Sequence, residues 1–146
     1  MDVAELTGTY TYRSFLNRPE PVDDFNKLRF AQLELRLTAE PDGTVSGELV
    51  FSEGEPGGDT IGMDMVGRAS GASPFAFTLT GKGRPGSPVA DFHYEYDGVI
   101  LRHWDIGIGQ LMTLAGTVLR AEDHGSGATL ARAGQTASFL AVKRQA

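Results

Sequence analysis

At 146 residues, with 13 basic and 19 acidic side chains and a net charge of −6, the chain reads as one domain spanning 1–146, and its acidity excludes nucleic acid as a partner. It contains no cysteine, which excludes disulfides, thiolate nucleophiles and thiolate metal ligands. No apolar stretch approaches the roughly 18 residues that a membrane helix needs, and the opening MDVAELTGTYTY has no basic or apolar leader pattern, so a cytoplasmic protein with no membrane partner is expected.

Nineteen glycines and seven prolines fall between apolar runs rather than within one tract, so they punctuate many short elements and point to an all-β chain. Strands are predicted at 6–15, 28–39, 44–52, 61–70, 75–83, 90–96, 99–106, 111–121 and 135–144, with one helical turn over 22–28. The connections NRPEP, EGEPGGD, GASP, RPGSP and GSGATLARAG are rich in residues that pre-set φ or tolerate positive φ. Nearest-neighbour hairpins along so many strands suit a closed antiparallel up-and-down barrel of eight to nine strands. The alternative is a sandwich, but closure removes exposed edges and suits strands as long as 28–39.

The turn AEPDGT has a register that the side chains themselves select. A type I turn over Glu40, Pro41, Asp42 and Gly43, with Gly43 in a left-handed bulge, pairs Glu40 with Thr44. Leu33, Leu35, Leu37 and Ala39 then share a face with Phe51, Leu49, Gly47 and Val45, while Arg36 meets Glu48 on the other. A two-residue turn at Asp42-Gly43 would mix apolar and charged residues on both faces.

The segment HYEYDGVILRHWDIG, 93–107, holds two of the three histidines and the only tryptophan. Asp97-Gly98 between alternating runs is a hairpin signal. A two-residue turn there places Phe92, Tyr94, Tyr96, Val99, Leu101 and His103 on one face, with Asp91, His93, Glu95, Ile100, Arg102 and Trp104 on the other. A three-residue turn would instead gather His93, His103, Asp91, Glu95 and Asp105, a set suited to acid–base or metal chemistry.

The opening LTGTY, 6–10, followed by the acid-Gly hairpin LTAEPDGTVSGEL, resembles the start of a calycin, the superfamily of lipocalins, fatty-acid-binding proteins and avidins. It is most similar to the avidin-like start, where a Gly-x-Trp segment opens the barrel and a basic residue of the last strand packs across that Trp. Tyr10 would stand at the Trp position, and Lys143 or Arg144 at the basic one. Avidins wrap biotin with several tryptophans, whereas this chain has Trp104 alone and continues TYRSFLNRPE. What the resemblance implies is therefore an internal pocket, open at one end, for a small and mostly apolar molecule.

In the two-residue register that pocket is expected to be lined by Phe92, Tyr94, Tyr96 and Leu101. His103, supported by Asp105 or a tyrosine hydroxyl, would take the ligand's polar end, a carboxylate or enol, with Arg13 either at the barrel mouth or solvated on the surface. His124 in RAEDHGSG is expected in an exposed loop without a role, and Asp64 on the solvent face. No GxSxG elbow, phosphate loop or HExxH spacing occurs, so no catalytic residue, metal site or cofactor is assigned. A non-catalytic small-molecule-binding barrel, with room for homodimerisation, is expected first. A barrel isomerase or cyclase working by His/acid proton transfer comes second, and a protein-interaction module third.

Overall fold

A computed structural model describes residues 2–18, 23–51, 61–72, 75–101 and 111–145. Eight strands follow in chain order: β1 (Gly8–Leu16), β2 (Arg29–Ala39), β3 (Thr44–Val50), β4 (Gly62–Ala69), β5 (Ala76–Gly83), β6 (His93–Leu101), β7 (Thr113–Arg120) and β8 (Thr136–Lys143). Each is antiparallel to the next, and β8 pairs back onto β1 from Tyr10–Lys143 to Leu16–Ala137, so the sheet is a closed up-and-down barrel and not a sandwich. The predicted helical turn is present as a short 3-10 turn, Phe25–Leu28, capped by the Asp24 carboxylate.

The β2–β3 hairpin has the register its side chains select. Leu35 pairs with Leu49, Leu37 with Gly47, Ala39 with Val45 and Arg36 with Glu48. The Glu40 amide donates to the Thr44 carbonyl at 2.8 Å, the Gly43 amide to the Glu40 carbonyl at 3.0 Å, and Gly43 sits at φ +95. That conformation strains any residue with a Cβ, and a Cβ here would also meet the Ala69 carbonyl oxygen at 2.8 Å.

The expected hairpin at Asp97-Gly98 does not form. The predicted strands 90–96 and 99–106 run into each other as one continuous strand, β6, up to Leu101, beyond which 102–106 lie outside the described residues. In it Asp97 pairs with Thr78 and Thr117, and Gly98 with Phe77 and Gly116. Gly98 is a close-approach glycine rather than a turn glycine: a Cβ there would lie 2.2 Å from the Ala115 carbonyl oxygen, and one on Gly116 2.1 Å from that of Asp97. The row across the wall runs Phe77, Gly98, Gly116, Phe139, and the two glycines leave the space in which the Phe77 and Phe139 rings meet, centroids 6.0 Å apart.

One end of the barrel is filled. The 3-10 turn Val3–Leu6 buries Val3 and Leu6 in the same core cluster as Tyr10, Leu37, Met112, Leu114 and Ala141. Two side chains hold its carbonyls: the Tyr10 hydroxyl donates to Leu6 at 2.8 Å and Lys143 Nζ to Glu5 at 2.7 Å. Lys143 thus stands beside Tyr10 as its cross-strand partner and reaches past it to the turn. Arg144 lies outside instead, on Thr11 and Glu34.

The outer wall is uneven. Over β2–β4 the acids Glu34, Glu48 and Asp64 are tied by Arg36 and Arg84, with Asp64 largely in solvent as expected. Over β6–β8 the outward residues Val99, Leu101, Leu140 and Val142 are apolar and exposed. Among the described residues no helix is long and apolar enough to cross a membrane.

Candidate functional site

A cavity of about 390 Å³ occupies the end of the barrel opposite the Val3–Leu6 turn. It is bounded by the later part of β1 (Tyr12, Ser14), the start of β2 (Ala31, Leu33) and the end of β3 (Leu49). The start of β4 (Met63), of β6 (Tyr94, Tyr96) and the end of β7 (Val118, Arg120) complete the wall. Phe30, Phe51, Phe92 and His124 stand around the rim side. Inward alternation explains the membership, since Tyr94 and Tyr96 project from β6 on the same face as Gly98 and Ile100.

The floor is aromatic. Tyr12 stacks on Phe139 at 5.5 Å, and Tyr96 meets both edge-on, at 6.4 Å from Tyr12 and 5.7 Å from Phe139. Burial pushes the Tyr12 phenol up to about 12 and raises Tyr96 well above its ordinary value, so both stay neutral hydroxyls. Ser14, 1 % exposed, is the one residue among those described whose buried side-chain oxygen lacks a well-formed hydrogen bond.

The polar end is built from β6, β7 and the loop after β7. Tyr94 and Arg120 are cross-strand partners, and Arg120 Nε donates to the Tyr94 hydroxyl at 3.1 Å. His124 Nε2 lies 2.8 Å from the same hydroxyl. Since a guanidinium can only donate, the arrangement that satisfies all three has Tyr94 accepting from Arg120 and donating to a neutral His124 protonated on Nδ1. Burial, and next the positive charge of Arg120, hold the imidazole below its ordinary value, against a smaller opposing effect of Asp91. His124 also stacks on Phe92, centroids 3.8 Å apart, and its backbone bridges to Ala131, which fixes the loop over the cavity. Chemically the trio offers a guanidinium, a phenol and an imidazole that can exchange a proton with it.

Of the residues expected to line a pocket, Phe92, Tyr94 and Tyr96 do so. Leu101 does not: because β6 runs straight through Asp97-Gly98, the inward phase continues to Ile100, and Leu101 is 44 % exposed on the outer wall, as is Val99 at 45 %. Arg13 is outside as well. It lies between the inward residues Tyr12 and Ser14, and its guanidinium donates to Gln32 Oε1 at 2.7 Å on the outer surface. His103 and Asp105, together with Arg102 and Trp104, lie outside the described residues.

His93 faces outward, as the two-residue register expected, with Nε2 2.7 Å from Glu95 and Nδ1 3.4 Å from Glu122, and Thr80 donates to the other Glu95 oxygen at 2.6 Å. Asp91 is engaged by the Gly125 amide at 2.8 Å. His124, expected to be an idle loop residue, is a cavity residue, and Arg120 was not singled out at all. For Arg120 a signal existed: Leu114, Val118 and Arg120 keep one phase along β7, so a cation stood at an inward position. For His124 nothing local marks that its loop folds back. No family model matches this chain, and no curated protein or solved structure does either.

Proposed function

We propose that this chain is a calycin-like barrel that binds a small, mostly apolar molecule in its interior. The observation that carries the reading is the cavity of about 390 Å³, walled by Leu33, Leu49, Met63, Val118 and the six rings of Tyr12, Phe30, Phe51, Phe92, Tyr94 and Tyr96, with its guanidinium and imidazole together at Arg120 and His124. That size and lining suit a small-molecule ligand. The calycin likeness is supported by the closed end, where Tyr10 and Lys143 hold successive carbonyls of the turn that precedes β1.

The test is titration with the neutral fluorophore N-phenyl-1-naphthylamine, compared with an Ala31→Phe variant. Ala31 lines the cavity and is only half-buried, so a larger side chain can enter the space without crossing the packed end. Saturable one-to-one binding that weakens at least about tenfold in Ala31→Phe, with cooperative unfolding retained, supports an interior site. No saturable binding, or binding indifferent to Ala31→Phe, contradicts it.

A further inference from the structure

We propose that the polar end of this cavity is a carboxylate site, in which Arg120, backed by Tyr94 and His124, binds the single negative charge of an amphipathic acid whose apolar body fills the rest of the space. The inference rests on the interior-binding reading and names the ligand class.

Arg120 is 6 % exposed and projects inward from the last position of β7. A buried guanidinium is costly unless a counter-charge offsets its lost hydration. Here every partner among the described residues is neutral. Nε donates to the Tyr94 hydroxyl at 3.1 Å, and Nη1 donates to the Arg132 carbonyl at 3.2 Å and to Gln135 Oε1 at 2.8 Å. Nη2 donates to none of them.

The nearby acids among the described residues are held elsewhere. Asp91 accepts from the Gly125 amide, Asp123 from the Ala133 amide at 2.6 Å, and Glu95 and Glu122 both face His93 on the outer side. Among the described residues, then, the nearby carboxylates turn to backbone amides and to the outer wall, and none of them pairs with Arg120. Among the described residues the cavity's fixed positive charge is single, because His124, accepting from Tyr94, is held neutral beside it, and this matches a monoanion better than a dianionic phosphate. A carboxylate is also the planar acceptor that suits a guanidinium fork. The aromatic and aliphatic wall excludes a wholly polar acid such as acetate as the preferred ligand, since little of the cavity would then be filled.

Displacement of N-phenyl-1-naphthylamine by decanoate, 1-decanol and decylammonium, at low ionic strength and near neutral pH, tests this on the unmodified protein. Decanoate is expected to compete at least about tenfold better than decanol, and decylammonium worse than either. Arg120→Gln should erase the preference for decanoate while leaving decanol within about threefold of the parent. His124→Gln, which leaves the guanidinium in place, should retain most of it. If fluorophore and decanol bind but decanoate gains nothing, the carboxylate site is overturned and the interior-binding reading stands. If neither binds, both fall. A preference that persists in folded Arg120→Gln also overturns the site, and should that variant fail to fold, the comparison of the three ligands on the parent protein decides alone.

Discussion

Tyr94 and Arg120 stand directly opposite each other on β6 and β7, both facing the interior, with the guanidinium Nε donating to the phenol oxygen at 3.1 Å. The same oxygen lies 2.8 Å from His124, so one hydroxyl joins two strands to the loop that covers the cavity. Replacing Tyr94 by Phe removes the acceptor of a buried charged donor and the partner of His124 together. The expected loss is about 1–3 kcal/mol in urea unfolding, with most of the apolar packing intact. An unchanged unfolding midpoint would show that the trio does not hold the loop.

The depressed His124 imidazole gives a pH dependence with a definite sign. Burial first, and Arg120 second, favour the neutral ring in the folded chain, while the unfolded chain protonates at the ordinary value of about 6.5. Above that value the group makes no pH-dependent contribution. As pH falls through it the unfolded chain takes up a proton that the folded chain does not, and stability declines until pH passes the lower folded value. His124→Gln, compared with the parent near pH 8 and near pH 5, should therefore be relatively more stable at the acid value. A stability difference between the two proteins that is the same at both pH values would contradict the burial of His124.

Gly98 and Gly116 should tolerate side chains badly, although both lie in regular strand. A Cβ on either would press on backbone carbonyl oxygen at 2.2 or 2.1 Å, and a larger side chain would enter the space where Phe77 meets Phe139. Gly98→Val and Gly116→Val should each cost about 1–3 kcal/mol by overpacking, read from thermal or urea unfolding. If Gly98→Val raised stability by favouring strand, the close approach would be refuted.

Gly43→Val is expected to cost at least about 1 kcal/mol, because the bulge holds φ +95 and the Ala69 carbonyl blocks a Cβ. Melting at the parent temperature would contradict the bulge in solution.

The contrast between these two glycine sites shows what local sequence can specify. Around Gly43 the turn chemistry of Pro41-Asp42-Gly43 and the alternation on both sides agree, so the register of β2 on β3 follows from fourteen or so contiguous positions. At Asp97-Gly98 the same dipeptide signal stands in mid-strand, and what decides is the pairing with Phe77 and Gly116, about twenty positions away on either side. That one misreading split β6 in two and put Val99 and Leu101 inside instead of Ile100. Of the two places open to Arg13, the mouth and the surface, the structure takes the surface, out of phase with inward Tyr10 and Tyr12 on β1. The phase of β7 held the clue to Arg120, whereas His124 reaches the cavity only through the Ala131 bridge and the Asp91–Gly125 contact, which no periodicity announces.

The interior location of the ligand is tested most directly by methyl NMR of protein labelled at the methionine methyls and titrated with 1-decanol. Met63 lines the cavity, whereas Met112 is packed at the closed end, where its sulfur meets the Tyr10 hydroxyl at 3.6 Å. A ligand inside the barrel predicts a saturable shift of the Met63 methyl with Met112 unmoved. A Met63 signal unchanged at saturating decanol would contradict interior binding.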